Sequence, residues 1–226
     1  MKYFNLTSQR ISSVLSQLSS LFNSIIILIT IFLCFTLMLF LFTPLQHTIA
    51  QITLDEDDLK YSPFNITFED TNSLRNQILT FYITGEELDD SVFSEFEIEH
   101  YEDVKQVLLN TGLVFLLLII YSISYYVYMI KNSEITSLIK QARIAQYILI
   151  GISLFIVVFF DFFWLSVFHE LFFNGGYMIL EPQFVSFYLF SHEFFMILIL
   201  IITMMTLLSL EGLKYYLKCK KKRSYS

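Results

Sequence analysis

Four long apolar runs alternate with polar segments along this chain. A helix needs roughly 20 residues, at about 1.5 Å each, to cross a hydrocarbon layer about 30 Å thick. Each of the four runs is long enough, and the predicted spans are residues 21–42, 107–130, 144–168 and 194–217. The pattern therefore predicts an α-helical integral membrane protein with four transmembrane helices.

Basic residues are distributed unevenly among the polar segments. Eleven of the 14 lysines and arginines lie outside residues 43–106, which carry 15 of the 21 acidic residues. Loops rich in lysine and arginine stay on the cytoplasmic side. Three segments are therefore expected to be cytoplasmic, and two of them contain the chain termini. These segments are the amphipathic N-terminal residues 1–20, the loop 131–143 and the basic tail 218–226. Residues 43–106 and 169–193 are then expected to be extracellular.

The outer segment 43–106 contains two kinds of pattern. Apolar and polar residues alternate over residues 64–69 and 95–100, which predicts two half-buried strands. Between them, "TNSLRNQILTFY" has capping residues followed by an apolar helical face. The predicted structure is a small extracellular α/β cap. The alternative is an outward helical extension of the second span, since Ser94 and Glu97 have capping-box spacing.

Composition narrows the class of protein further. The 226 residues are 55% hydrophobic and 18% aromatic, and the mean hydropathy is +0.61, which is unlike a soluble domain. Cys34 and Cys219 are poorly placed for a disulfide framework. No Gly-Lys-Ser/Thr loop or G-x-S-x-G elbow occurs. We therefore expect no nucleotide, nucleic acid or cofactor, and no activated serine.

All four histidines fall at the outer membrane surface in this topology: His47, His100, His169 and His192. Histidine is the side chain that exchanges a proton near neutral pH. The zinc-protease motif H-E-x-x-H is absent, although a metal site assembled across loops stays open, as do simple headgroup contacts. Asp161, inside the third span, is either a helix–helix hydrogen-bond partner or the polar floor of a cavity.

Two segments carry a family resemblance. "EIEHYEDVKQVL" and "FHELFFNGGYMILEP" resemble the H-x-x-D-V-K and F-H-x-x-F-F segments of the bacterial lipoprotein intramolecular transacylases (Lit). The resemblance implies that the sn-2 acyl chain of a lipoprotein's diacylglyceryl-cysteine moves to the cysteine α-amine, giving a lyso-form lipoprotein. It also implies that His100 and His169 are catalytic and lie at the outer leaflet of a bacterial cell membrane. The implied partners are diacylated lipoproteins and membrane lipid.

The implied reaction agrees with the rest of the sequence. An ester that becomes an amide runs downhill, and the amine is held near the ester by its own molecule, so neither a nucleotide nor an acyl-enzyme serine is required. Two histidines can divide the proton transfers as base and acid. Candidate supporting residues are Tyr101, Asp103, Lys105, Asn174 and Tyr177.

Two other classes of function stay open. One is a non-enzymatic membrane sensor or metal-binding protein that uses its acidic extracellular domain. The other is a membrane hydrolase or phospholipid acyltransferase that uses the same histidines. A sensor would leave lipoprotein N-termini unchanged, whereas a hydrolase would release free fatty acid.

Overall fold

The computed structural model describes residues 2–54, 59, 63–64, 66–173 and 182–223. Within these ranges the chain is almost entirely helical and contains no β-strand. The elements are α1 (Lys2–Phe40), α2 (Thr43–Thr53), α3 (Phe68–Thr84), α4 (Glu95–Lys131), α5 (Ile135–Val158), a π-helix (Phe162–Phe168), α6 (His169–Phe173), α7 (Val185–Leu189) and α8 (His192–Arg223).

Four of these helices are long and apolar enough to cross a membrane, so the prediction of a four-span helical protein is confirmed. They are Ser12–Phe40 within α1, and α4, α5 and α8. With its 37 residues, α4 extends for about 55 Å at about 1.5 Å per residue, well beyond a 30 Å hydrocarbon layer. Its first turns, residues 95–106, carry most of its charge, and its uncharged apolar part is residues 107–130.

The predicted α/β cap is wrong for the described residues. Residues 95–100 form the start of α4, and α3 begins at Phe68, within the other segment predicted to be a strand. Each helix starts with a capping box, made by Thr67 with Asp70 and by Ser94 with Glu97. These boxes satisfy amides that a helix leaves free at its first turn. Burial also follows the helical period, because the inward residues are Phe93, Glu97, His100 and Tyr101.

The chain divides into two compact units. The first comprises Met1–Phe35, Val114–Ser153 and Thr203–Ser226. Its apolar core includes Ala142 and Ala145, which are fully buried, and small residues of this kind let helices approach closely in membranes. Polar contacts add to the packing, since Tyr121 donates to Asn23 Oδ1 at 2.7 Å.

The second unit comprises Thr36–Leu113 and Leu154–Ile202. Its core joins α3, α7 and the first turns of α4. The buried members are Leu74, Ile78, Phe81, Leu88, Phe93, Tyr101, Val185 and Leu189. Gly85 caps the C-terminal end of α3: its φ of 81° is the left-handed conformation favoured by glycine, and its amide donates to the Phe81 carbonyl.

Two buried polar contacts secure the five-residue helix α7. The Glu97 carboxylate accepts hydrogen bonds from the amide and hydroxyl of Ser186 at 2.8 and 2.6 Å, and from the amide and hydroxyl of Ser94 at 3.0 and 2.9 Å. Arg75 Nε donates to the Leu189 carbonyl at 2.8 Å. A helix this short is unstable by itself, so these contacts and the apolar core hold it in place.

We predict that Glu97→Ala destabilises the protein by about 2–4 kcal/mol, because four buried or partly buried donors lose a charged acceptor. The measurement is thermal or denaturant unfolding of the detergent-solubilised protein. Glu99→Ala, at an exposed position of the same helical turn, is the matched control and should change the free energy of unfolding by less than about 0.5 kcal/mol. Equal effects of the two substitutions would contradict the assigned role of Glu97.

Candidate active site

His100 and His169 lie side by side in the second unit. Their ring centroids are 6.4 Å apart and their planes differ by 10°. Both side chains are buried, with exposed fractions of 8% and 3%. His100 belongs to the start of α4 and His169 to the first position of α6, so two segments far apart in sequence supply the two imidazoles.

A π-helical turn orients His169. The backbone N–H of His169 donates to the carbonyl of Trp164, five residues earlier, and Nδ1 lies 2.7 Å from the same carbonyl oxygen. A carbonyl oxygen only accepts hydrogen bonds, so Nδ1 carries the proton of the neutral ring and Nε2 carries the lone pair. Short π-helical turns occur frequently at functional sites.

Aromatic rings surround the two imidazoles. The Phe173 ring lies 4.9 Å from His100 and 5.6 Å from His169, measured between centroids. The Trp164 ring meets His169 edge-on at 4.9 Å, and Phe168 lies 5.8 Å from it. Such a wall excludes water and lowers the local dielectric constant around both histidines.

This environment favours the neutral form of both rings, which lie outside the predicted spans. Burial, and then the neighbouring His169, lower the pKa of His100 to about 4. Burial lowers the pKa of His169 as well, opposed by the hydrogen bond to the Trp164 carbonyl. Desolvation disfavours the imidazolium ion. Near pH 7 the site therefore holds two neutral imidazoles, each able to accept a proton.

Polar contacts to α7 fix the part of α4 that carries His100. Tyr101 donates to Ser186 Oγ at 2.6 Å, and Ser186 in turn donates to Glu97, one turn before His100. The sequence alone predicts no site role for Glu97 or Ser186. The capping-box spacing of Ser94 and Glu97 was a usable signal for Glu97, whereas no local pattern points to Ser186.

The other candidate supporting residues occupy different surroundings. Asp103 is exposed on α4. Lys105 places Nζ over the Phe81 ring, 4.3 Å from its centroid. Tyr101 has its hydroxyl in the contact with Ser186, so its ring, 6.2 Å from that of His100, packs beside the pair. Asn174 and Tyr177 lie outside the described residues.

The remaining histidines have other neighbours. His192 Nε2 lies 2.8 Å from Asp161 Oδ1, so Asp161 forms a contact with the start of α8. His47, on α2, is close enough to Arg75 and Asn76 for both to affect its pKa. In the part of the chain that the structure describes, no group of three or more His, Cys, Asp or Glu residues is arranged to hold a metal ion.

The histidine titration offers a direct test of this geometry. We expect the His100 ring to stay neutral at pH 6, because burial lowers its pKa to about 4, and the His169 ring to titrate below the usual value of about 6.5. The measurement is a pH titration of ¹⁵N-histidine signals in lipid nanodiscs, assigned with His100→Gln and His169→Gln. His169 should show the tautomer with the proton on Nδ1. Protonation of either ring above pH 6.5 would contradict the structure.

Comparisons with known proteins agree with one another. The family model described as lipoprotein intramolecular transacylase Lit matches residues 14–195. A structure in meso of the membrane integral lipoprotein intramolecular transacylase Lit from Bacillus cereus has a TM-score of 0.74 and 20% identity, covering 93% of this chain and 99% of that one. A variant with one histidine replaced by arginine gives 0.73 and 20%, covering 99% and 100%. No curated protein matches.

Proposed function

The chain belongs to the lipoprotein intramolecular transacylase (Lit) family of acyltransferases, and from this premise we propose its reaction and its catalytic residues. The substrate is a bacterial lipoprotein whose N-terminal cysteine carries a diacylglyceryl group. The sn-2 acyl chain moves to the α-amine of the same cysteine, and a lyso-form lipoprotein results. The observation that carries this proposal is the parallel, buried pair His100 and His169.

The reaction balances without any other reactant. The amine nitrogen attacks the ester carbonyl carbon, an N–C bond forms, and the C–O bond to glycerol breaks. The amine loses one proton and the glycerol oxygen gains one. His169 Nε2, with its lone pair free, is suited to receive the amine proton. The proton taken up by His169 then passes to the departing glycerol oxygen, directly or by way of His100, so both rings end neutral, as they began.

Intramolecularity supplies much of the acceleration. Attack within one molecule replaces a bimolecular encounter by an oriented step, which is worth several kcal/mol of the barrier. The ester-to-amide conversion is downhill, so this mechanism needs no nucleotide or cofactor. What the protein must add is proton transfer and the exclusion of water, which would otherwise hydrolyse the ester. The aromatic wall around both histidines is suited to that second task.

We place the reaction at the outer leaflet. The distribution of basic residues supports cytoplasmic termini, and His100 then lies just outside the span that begins at residue 107. The glyceryl esters of a membrane-anchored lipoprotein are at the same depth, near the headgroups. A site at this level therefore meets its substrate without extracting it from the bilayer.

We predict that His100→Ala and His169→Ala each reduce acyl transfer by about 100-fold or more, as expected for loss of a general acid or base. The protein is expressed in a host whose lipoproteins are diacylated, and lipopeptides are analysed by mass spectrometry. Transfer leaves the total mass unchanged and moves one acyl chain to nitrogen. Glu99→Gln and Glu170→Gln, exposed neighbours of the two histidines, are the matched controls and should keep full activity.

The same experiment separates the competing functions. A free α-amine on every lipopeptide would rule out transfer and favour a non-enzymatic sensor. Loss of one acyl chain with release of free fatty acid would instead indicate a hydrolase. Full activity of either histidine variant would remove the pair from the mechanism.

We also predict that Phe173→Ala shifts the outcome from transfer toward hydrolysis. Its ring is buried and faces both imidazoles, so its removal admits water to the ester. The ratio of free fatty acid to N-acylated lipopeptide should rise about tenfold, corresponding to about 1.4 kcal/mol, in assays with purified protein and a synthetic diacylated lipopeptide. Phe172→Ala, at an exposed ring, should leave the ratio unchanged. An unchanged ratio in Phe173→Ala would show that this ring does not exclude water.

A further inference from the structure

Arg75 of α3 is a buried guanidinium whose donors are only partly used. Its exposed fraction is 1%. Nε donates to the Leu189 carbonyl and Nη1 to Asn72 Oδ1, each at 2.8 Å, while Nη2 is buried and has no hydrogen-bond partner among the described residues. Leaving such a group unsatisfied costs about 1–3 kcal/mol, so its retention requires an explanation.

No described carboxylate forms an ion pair with Arg75. Burial lowers the pKa of Arg75 to about 10, so the group is still positively charged at pH 7. Among the described residues, the ion pairs join His192 to Asp161 and Lys214 to Glu211, and neither involves Arg75. A buried cation with a free N–H favours a ligand that brings an acceptor oxygen.

A second unpartnered atom lies in the neighbourhood of Arg75. His47 Nε2, on α2, is buried and has no hydrogen-bond partner in the part of the chain that the structure describes. Burial and then the charge of Arg75 lower the pKa of His47, against a contact with Asn76 that raises it. Helices α2 and α3 of the same compact unit thus supply two buried polar atoms that no other described residue satisfies.

These atoms are separate from the histidine pair but within reach of one substrate. Along α3, Arg75 precedes Tyr82 by two turns, which is about 10 Å. The Tyr82 ring lies 6.4 Å from that of Tyr101, the neighbour of His100 in sequence. An extended lipidated N-terminal peptide is longer than these two distances together. One end of it can therefore react at the histidine pair while another part contacts Arg75.

We propose that Arg75 and His47 form a subsite for carbonyl oxygens in the non-reacting part of the lipidated peptide. This inference rests on the proposed function, in which the reacting ester occupies the histidine pair. The second ester carbonyl of the diacylglyceryl group and the first peptide carbonyls are then free to contact the subsite. All of them are hydrogen-bond acceptors. A cationic subsite also disfavours the protonated α-amine, so it helps to orient the substrate. A phospholipid phosphate offers acceptor oxygens as well, and the experiment separates the two sources.

The first measurement is equilibrium binding to a protein that cannot turn over. A fluorescent diacylated lipopeptide is titrated against full-length His169→Ala protein in nanodiscs, alone and combined with Arg75→Lys or with His47→Ala. We expect Kd to rise about tenfold with Arg75→Lys, as for loss of a hydrogen bond from a charged donor, and several-fold with His47→Ala. Gln77→Ala, an exposed residue of α3, is the control and should leave Kd unchanged.

Thermal unfolding of each variant separates binding from folding. Arg75→Lys also loses the contact with Leu189, whereas His47→Ala does not alter that contact, so the histidine variant reports on the subsite even if the lysine variant is unstable. Unchanged Kd values in both variants would overturn the inference. Binding of a short-chain phosphatidylglycerol, measured in a phosphate-free detergent, that weakens in Arg75→Lys while lipopeptide affinity is unchanged would assign the subsite to a lipid phosphate and overturn it too.

Turnover of the otherwise wild-type protein distinguishes this inference from the proposed function. If Arg75 binds the non-reacting part, Arg75→Lys should raise KM about tenfold and change kcat by less than about threefold. A protein that forms no N-acylated lipopeptide would refute the proposed function. Normal acyl transfer with an unchanged KM in Arg75→Lys would refute only the subsite.

Discussion

The candidate site depends on the hydrogen bonds that the buried carboxylate of Glu97 accepts. This carboxylate accepts hydrogen bonds from Ser94, at the start of α4, and from Ser186 of α7, which also accepts from Tyr101. Taking a carboxylate out of water is costly unless donors satisfy it, and four donors do so here. His100 follows one turn later, so its position relative to α7 is set by this contact and by the aromatic core around Tyr101.

A different contact, with its own backbone, holds His169 in position. The π-helical turn brings its backbone N–H and its Nδ1 to one carbonyl oxygen, that of Trp164. One histidine is therefore placed through a buried carboxylate, and the other through the backbone of its own helix. Because neither imidazole faces a carboxylate in the described part of the site, burial is the main influence on both pKa values and favours the neutral form of each ring.

The sequence predicted the features that depend on local composition. Span length and apolarity were sufficient for the four helices, and two short motifs predicted the family, which the match over residues 14–195 confirms. The α/β cap was wrong because six alternating residues fit either period, and the capping box of Ser94 and Glu97 was the more informative signal. The contacts from Glu97 to Ser186 and from Arg75 to Leu189 join residues 89 and 114 positions apart, so no local pattern reveals them.

Helix α7 shows why these two long-range contacts belong together. Glu97 accepts from the Ser186 amide near its first residue, and Arg75 donates to the Leu189 carbonyl at its last. An anion at the N-terminal amides and a cation at the C-terminal carbonyls match the polarity of a helix. Arg75 does this with Nε alone, and its Nη2 has no partner among the described residues. A lysine has a single nitrogen at the end of a flexible chain. It therefore lacks the rigid set of donors with which Arg75 binds the Leu189 carbonyl and Asn72 at the same time.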